Sequence, residues 1–247
     1  MLMILKSFLF SQFDDLVFGF STKLFSFNDS PFFSNLSFEI GDDREKVVRN
    51  RNKFSDNLSV DVKNIAYQHQ IHSDIINYVS KPEFIGDSDA MITDKFNLGL
   101  AVGSADCTTV FIFDPVKKVI AAIHSGWKGT QKRISEKTIL KMQNDFHTNP
   151  GDCYAYIAPA ITQRNYEVGS EVKALFDEKY ITNLNSKFYL DVSRANYDML
   201  RNCGVNKSKI QLSILCSYQN KNLFHSYRRD KDNSGRAWGM IMMVRNE

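Results

Sequence analysis

Cysteine, histidine and clustered arginine are the residues here whose types and spacing could do chemistry, and the chain between Cys107 and His124 brings those two together. The segment TTVFIFDPVKKVIAAIH, Thr108 to His124, reads as strand, turn and strand. Pro115 suits the second position of a turn over Asp114 to Lys117. With residues 114 and 117 opposed, Phe113 faces Lys118, Phe111 faces Ile120, Thr109 faces Ala122 and Cys107 faces His124. Opposed residues share a face with Cβ atoms about 5 Å apart. A zinc ion between them would take up about 2.3 Å to sulfur and about 2.0 Å to nitrogen. A slip of one residue would send the two side chains to opposite faces. The pair reads either as two metal ligands or as a buried cysteine beside a hydrogen-bonded histidine.

Two further clusters carry charge. After His124 the chain runs Ser125-Gly126-Trp127-Lys128-Gly129-Thr130 into a helical pattern. Glycine lets backbone approach a ligand, a helix start offers free N–H donors, and Lys128 adds a cation. A plain strand-to-helix turn also uses glycine. The third cluster is Ser226-Tyr227-Arg228-Arg229-Asp230 with Ser234-Gly235-Arg236. Its arginines could fork around a phosphate, a carboxylate or a nucleobase, or pair with Asp230 and Asp232 in a solvated loop.

The elements that must position these residues are strands near 97–104, 108–113, 118–124, 154–158, 210–216 and 237–244, several apolar on both faces and so expected inside layers. A helix is expected from about Thr130 to His147, burying Ile134, Ile139, Met142 and Phe146 and stopping at Asn149-Pro150-Gly151. A second is expected from Ser193 as N-cap to Gly204, and a third after Val168. The expected fold is α+β, a mixed α/β sandwich, with residues 1–247 as a single domain.

Composition narrows the function classes. The 247 residues carry 31 basic and 28 acidic side chains, a net charge of +3, with 43% hydrophobic residues. That balance gives no basic surface for nucleic acid. Asp106 interrupts the longest apolar run, so no membrane span is expected. The apolar start, Met1 to Phe10, lacks a basic region and a cleavage site and reads as a first strand, consistent with a cytoplasmic protein. Cys107, Cys153, Cys203 and Cys216 show no paired C-x-x-C, against a structural zinc knot or a disulfide framework.

In GFSTK (19–23), GDD with VVRNR (41–51), QIHS (70–73), GDSDAMIT (86–93), SADC (104–107), HSGWKG (124–129), YEVG (166–169) and SYRRD through SGR (226–236), the sequence resembles the YfiH family. Members are described variously as laccase-like multicopper polyphenol oxidases, purine nucleoside phosphorylases and peptidoglycan editing factors. The resemblance implies a single α/β sandwich with a Cys-His-His site, at positions matching His72, Cys107 and His124. His69 is the decoy, since in an extended segment it would point away from His72. Thr109, Lys128, His225 and Gln163-Arg164-Asn165 depart from the family pattern without removing a presumed ligand.

One thiolate and two imidazoles suit zinc, and copper would take the same donors. Five histidines in all are too few for the blue and trinuclear copper centres of a true multicopper laccase. The resemblance therefore implies a metal-dependent enzyme acting on a purine nucleoside and phosphate, by phosphorolysis of adenosine, inosine, guanosine or methylthioadenosine and by adenosine deamination. An amidase editing peptidoglycan precursors and a copper-dependent polyphenol oxidase are the alternatives. Lys128, Arg228, Arg229, Arg236 and Arg51 are the substrate- or phosphate-binding candidates. Asp89 and Asp106 are candidates to orient the ligand histidines. Asn50 and Arg51 could brace the site, contact ligand or end a surface helix, and Trp127 could stack on a base or fill the core. No membrane or nucleic-acid partner is expected, and a monomer is the expected state.

Overall fold

The computed structural model describes residues 3–24 and 30–245. In chain order the strands are β1 (Ile4–Leu5), β2 (Leu16–Ser21), β3 (Ile65–His69), β4 (Ile76–Tyr78), β5 (Phe84–Asp87), β6 (Ala90–Thr93), β7 (Gly99–Ser104) and β8 (Thr108–Asp114). They continue with β9 (Val119–Ser125), β10 (Tyr154–Ile157), β11 (Glu167–Val168), β12 (Ile181–Leu184), β13 (Lys187–Leu190), β14 (Ile210–Leu212) and β15 (Ala237–Met243). The helices are α1 (Arg44–Asp56), α2 (Trp127–Gln131), α3 (Ile134–Phe146), α4 (Ser170–Lys173), α5 (Val192–Asn202) and α6 (Tyr227–Asp230).

Two mixed sheets form the centre, in strand orders β1-β2-β15-β7-β3-β5 and β14-β10-β8-β9-β6-β4, and β11-β13-β12 make a small third sheet. Strands β8, β9 and β15 are buried along their whole length, as runs apolar on both faces must be. One face of each meets the other sheet, where Phe18, Phe20, Leu100, Val102 and Ile241 pack against Phe111, Phe113, Ile120, Ala122 and Tyr156. The outer face of the second sheet is covered by Ile134, Ile139 and Met142 of α3 and Leu200 of α5. The outer face of the first is covered by Phe54 of α1 together with Leu36, Leu58 and Val60. The sandwich expected from the sequence is thus four layers deep, helix, sheet, sheet and helix.

The hairpin register differs from expectation. The Asp114 Oδ1 accepts from the backbone N–H of Val116 at 2.9 Å and Lys117 at 3.0 Å, and Lys118 closes the loop at φ 53° while its ammonium pairs with Asp15 at 2.6 Å. Asp114 consequently pairs with Val119, Phe113 with Ile120 and Thr109 with His124, two positions from the expected pairing. An even shift preserves the faces, so Cys107 and His124 still meet, though Thr109 is the residue directly opposite His124.

Other boundaries also moved. The long helix is broken at Arg133, whose left-handed backbone (φ 64°) separates α2 from α3, and it stops at His147 (φ 56°) rather than at the following proline. The cap of α5 is Asp191, whose carboxylate accepts from Arg194 N–H, so Ser193 lies inside the helix. The strand expected over Met1 to Phe10 shrinks to Ile4–Leu5 before a short helical turn at Phe10–Gln12, and its first two residues lie outside the described ones. Among the described residues no helix is long and apolar enough to cross a membrane.

Candidate active site

Strand β9 delivers His124, 3% exposed, to the face between the sheets. Its backbone N–H donates to the Asp89 carbonyl at 2.7 Å, which sets Asp89 directly across from it at the start of β6. The Asp89 carboxylate is fully buried and lies 2.8 Å from His124 Nδ1, leaving Nε2 as the ring nitrogen free to face a ligand. The same carboxylate accepts from His72 N–H at 3.1 Å, Ser73 N–H at 2.5 Å and Ser73 Oγ–H at 2.6 Å. Those bonds hold the loop after β3 in the conformation, with His72 at φ 59°, that brings the exposed His72 ring up to Cys107. His72 is therefore not in an extended segment. The decoy His69 ends β3 and turns to Asp87 instead, with Nδ1 at 2.7 Å from Oδ1.

Cys107 enters from the loop before β8. Its Sγ lies 3.8 Å from His72 Nε2, and the two imidazoles meet edge to face with centroids 4.9 Å apart. The donor atoms of His72, Cys107 and His124 all fall within 4.8 Å of one another. Gly126 makes this approach possible, because a Cβ there would stand 3.0 Å from both Cys107 Sγ and His72 Cδ2. Burial disfavours the Cys107 thiolate, but the His124 charge and hydrogen bonds from both imidazoles outweigh it and hold the thiol below its ordinary range. Burial also disfavours protonated His124, yet the Cys107 and Asp89 charges raise it above the usual imidazole range. For Asp89 the penalty of burial is outweighed by the bonds from His124 and Ser73, which keep it ionised below its ordinary range.

The donor set fits a metal ion. Tetrahedral zinc with one sulfur and two nitrogen ligands requires sulfur–nitrogen separations of about 3.6 Å, against 3.8 Å between Cys107 and His72. With His124 oriented by a carboxylate, as metal-bound histidines usually are, the three residues could hold zinc or copper and leave a further position open.

The remaining sequence candidates divide. Asp106 does not orient a histidine. Held at φ 97°, it accepts from Ser217 Oγ–H at 2.6 Å, Ser226 Oγ–H at 3.0 Å and Arg228 N–H at 2.7 Å, tying the Cys107 loop to the C-terminal loop. Arg229 is consumed inside the protein, donating to the carbonyls of Ser217, Tyr218 and Phe224 and pairing with Asp230. Arg228 donates to the Glu167 carbonyl and lies over the Tyr166 ring at 5.0 Å. Arg236 donates from Nη1 to the carbonyls of Ser234 and Gly235 and lies over Tyr227 at 5.5 Å, within reach of the Cys107 charge. Lys128 is exposed beside Trp127, which packs into the small cluster around Val172, Leu190 and Val192. Among the described residues no acidic side chain forms an ion pair with Lys128, Arg228 or Arg236. Arg51 is buried between the Phe38, Tyr67 and Trp238 rings. Sequence reasoning missed Ser73, whose signal was its place directly after His72, and Asn35, which carried none.

Comparison with known proteins places the fold and the family. The chain is 38% identical over 186 residues to a protein of Clostridium acetobutylicum named purine nucleoside phosphorylase, covering 73% of this chain and 78% of that one. It is 29% identical to the purine nucleoside phosphorylase YlmD of Bacillus subtilis, covering 93% and 89%. The solved structure of YlmD from Geobacillus stearothermophilus superposes with a TM-score of 0.90 at 27% identity, covering 97% and 94%. That of Bacillus licheniformis YfiH gives 0.88 at 29% identity, covering 92% of each. The family model described as multi-copper polyphenol oxidoreductase laccase matches residues 17–244, so the chain belongs to that laccase-like family, in which YfiH and YlmD are its structural neighbours.

Proposed function

We propose that the protein is a purine nucleoside phosphorylase of the YfiH type, acting on adenosine, inosine, guanosine or methylthioadenosine, and that the same centre deaminates adenosine. The observation that carries this reading is a Cys-His-His donor cluster with two guanidinium groups nearby that form no ion pair among the described residues: Arg228, whose backbone N–H binds Asp106 next to Cys107, and Arg236, which feels the Cys107 charge. The names of the relatives support the choice of substrate.

In this reading the chain acts as a single-domain cytoplasmic monomer, and His72, Cys107 and His124 are the catalytic and metal-holding residues. Zinc, when bound there, supplies a Lewis acid, and copper fits the same donors. Asp89 fixes the His124 tautomer and, through the His72 and Ser73 amides, the entry of the His72 ring. Arg228, Arg236 and the exposed Lys128 neutralise phosphate as it approaches the ribose. A phosphate oxygen forms the new bond to ribose C1′ while the C1′–N9 bond breaks and its electron pair passes to the purine. The proton that hydrogen phosphate loses balances the proton the purine gains, giving free base and ribose 1-phosphate. Arg229 takes no part, since its donors are satisfied by protein carbonyls.

Incubating zinc-loaded protein with inosine, adenosine or methylthioadenosine, with and without phosphate, and identifying products by mass spectrometry tests the proposal. Free base and ribose 1-phosphate, or 5-methylthioribose 1-phosphate from methylthioadenosine, should form only with phosphate, and adenosine and water should give inosine and ammonia without it. Failure to turn over any nucleoside would overturn the reading in favour of amide hydrolysis on a peptidoglycan precursor.

A further inference from the structure

Three residues outside the donor cluster form a continuous chain of contacts to Arg236. Asn50 of α1 donates from Nδ2 to the Asn35 carbonyl at 2.9 Å. Arg51, the next residue, donates from Nε to the Leu36 carbonyl at 2.8 Å. Its guanidinium is enclosed by Phe38 at 4.0 Å, Tyr67 at 4.4 Å and Trp238 at 4.0 Å. Asn35 and Leu36, both fully buried, in turn grip the backbone of Arg236 from both sides. Leu36 N–H donates to the Arg236 carbonyl at 3.0 Å, and Arg236 N–H donates to Asn35 Oδ1 at 2.9 Å. Asn35 is itself fixed, since its Nδ2 donates to the Ser37 carbonyl at 2.8 Å and to Asp42 Oδ2 at 3.0 Å.

Such a density of directed bonds exceeds what a strand entrance needs, because β15 is already paired from Ala237 onward on both sides, with β7 and, from Gly239, with β2. The bonds converge instead on the one residue before the strand. The Arg236 guanidinium lies over the Tyr227 ring and is held by Nη1 to the Ser234 and Gly235 carbonyls, which leaves its other nitrogens without a hydrogen-bond partner among the described residues. A guanidinium recognises an anion through two donors in a fixed plane, so small rotations of its backbone forfeit the second bond.

We propose that Asn35, Asn50 and Arg51 are positioning residues that act through Arg236 and aim its open edge at the phosphate. The proposal rests on the reading that Arg236 holds phosphate. Asn50 and Arg51 accordingly contact no substrate, and their effect on the reaction passes through one side chain.

A double-mutant cycle tests this. Zinc-loaded parent, Asn50→Ala, Arg236→Ala and the double variant are compared by calorimetric titration with inorganic phosphate and by the KM for phosphate and for inosine. Asn50→Ala should weaken phosphate about tenfold, the size of one well-made hydrogen bond to an anion. It should leave the KM for inosine and the zinc content as in the parent, and it should add nothing in the Arg236→Ala background. Additive effects, or equal losses in both KM values, would overturn the proposal by showing that Asn50 acts through the fold at large. Parent-like phosphate binding in Asn50→Ala with weakened binding in Arg236→Ala defeats the positioning proposal alone. Parent-like binding in Arg236→Ala defeats the phosphate reading of that arginine and the proposal with it. Should Asn50→Ala fail to fold, Asn50→Asp, of the same shape but without the donor, gives the same discrimination.

Discussion

Asp89→Asn probes the part of the site on which every other part depends. The carboxylate receives His124 Nδ1 and His72 N–H on Oδ1, at 2.8 and 3.1 Å, and Ser73 N–H and Oγ–H on Oδ2, at 2.5 and 2.6 Å. An asparagine keeps one acceptor. Its better orientation leaves the oxygen toward the histidines and turns the amide toward Ser73, whose hydroxyl can rotate to accept. The Ser73 backbone N–H has no such freedom and loses its partner in a fully buried setting, at a cost of about 1–3 kcal/mol. The variant should therefore unfold earlier by roughly that amount. The larger effect is chemical, since the imidazole loses the charge that makes it basic and fixes its ring, and loss of such a support weakens metal typically 10–100-fold. Zinc affinity by competition with a chromogenic chelator and thermal unfolding of the loaded and chelated forms are the assays. Parent zinc affinity with unchanged unfolding would refute the reasoning, because a buried carboxylate with four donors cannot be both structurally and electrostatically idle.

Gly126→Ala should lower zinc affinity with little loss of stability, because its Cβ would meet Cys107 Sγ and His72 Cδ2 at 3.0 Å and push two donors apart; unchanged zinc titration contradicts this. Arg229→Ala should cost about 2–3 kcal/mol of stability, through carbonyls of Ser217, Tyr218 and Phe224 left unpaired, while the KM for phosphate stays near the parent value; denaturant unfolding and kinetics separate the two. His225 is buried, with Nε2 unpartnered, and burial with Lys23 and Arg236 nearby holds it down to about 3 from the ordinary 6.5. The unfolded chain thus takes up a proton that the native chain refuses, so stability present above pH 6.5 is lost as the pH falls toward about 3, by ~2 kcal/mol at pH 5. His225→Phe should flatten that slope, and a stability-versus-pH curve parallel to the parent's would contradict it.

Much of the site was legible because its elements are local. The alternation and turn chemistry of residues 108–124 identify a hairpin, and the error in its register was harmless only because it was even. The turn was misread because the Asp114 side chain, not the Pro115 ring alone, organises the loop, and the left-handed Lys118 adds a residue that a compact turn lacks. His72 could be reached only through resemblance, since it lies 35 positions from Cys107 in a loop set by the Asp89 carboxylate. Asp106 and Arg229 were misassigned for a common reason. Their partners are backbone groups and hydroxyls of distant loops, which composition and spacing do not reveal. The layers were clearer, because strands buried on both faces announce themselves by continuous apolar runs. The break between α2 and α3 was not, because nothing in an arginine signals the left-handed backbone that Arg133 adopts.

The most direct measurement of the central claim is phosphate-dependent release of hypoxanthine from inosine by zinc-loaded parent and Cys107→Ala, with circular dichroism confirming the fold of both. The proposed function predicts phosphate-dependent release by the parent and loss of that release in the folded variant, because one of three converging donors is gone. Parent-like release by a folded Cys107→Ala protein would contradict the assignment of His72, Cys107 and His124 as the reaction centre.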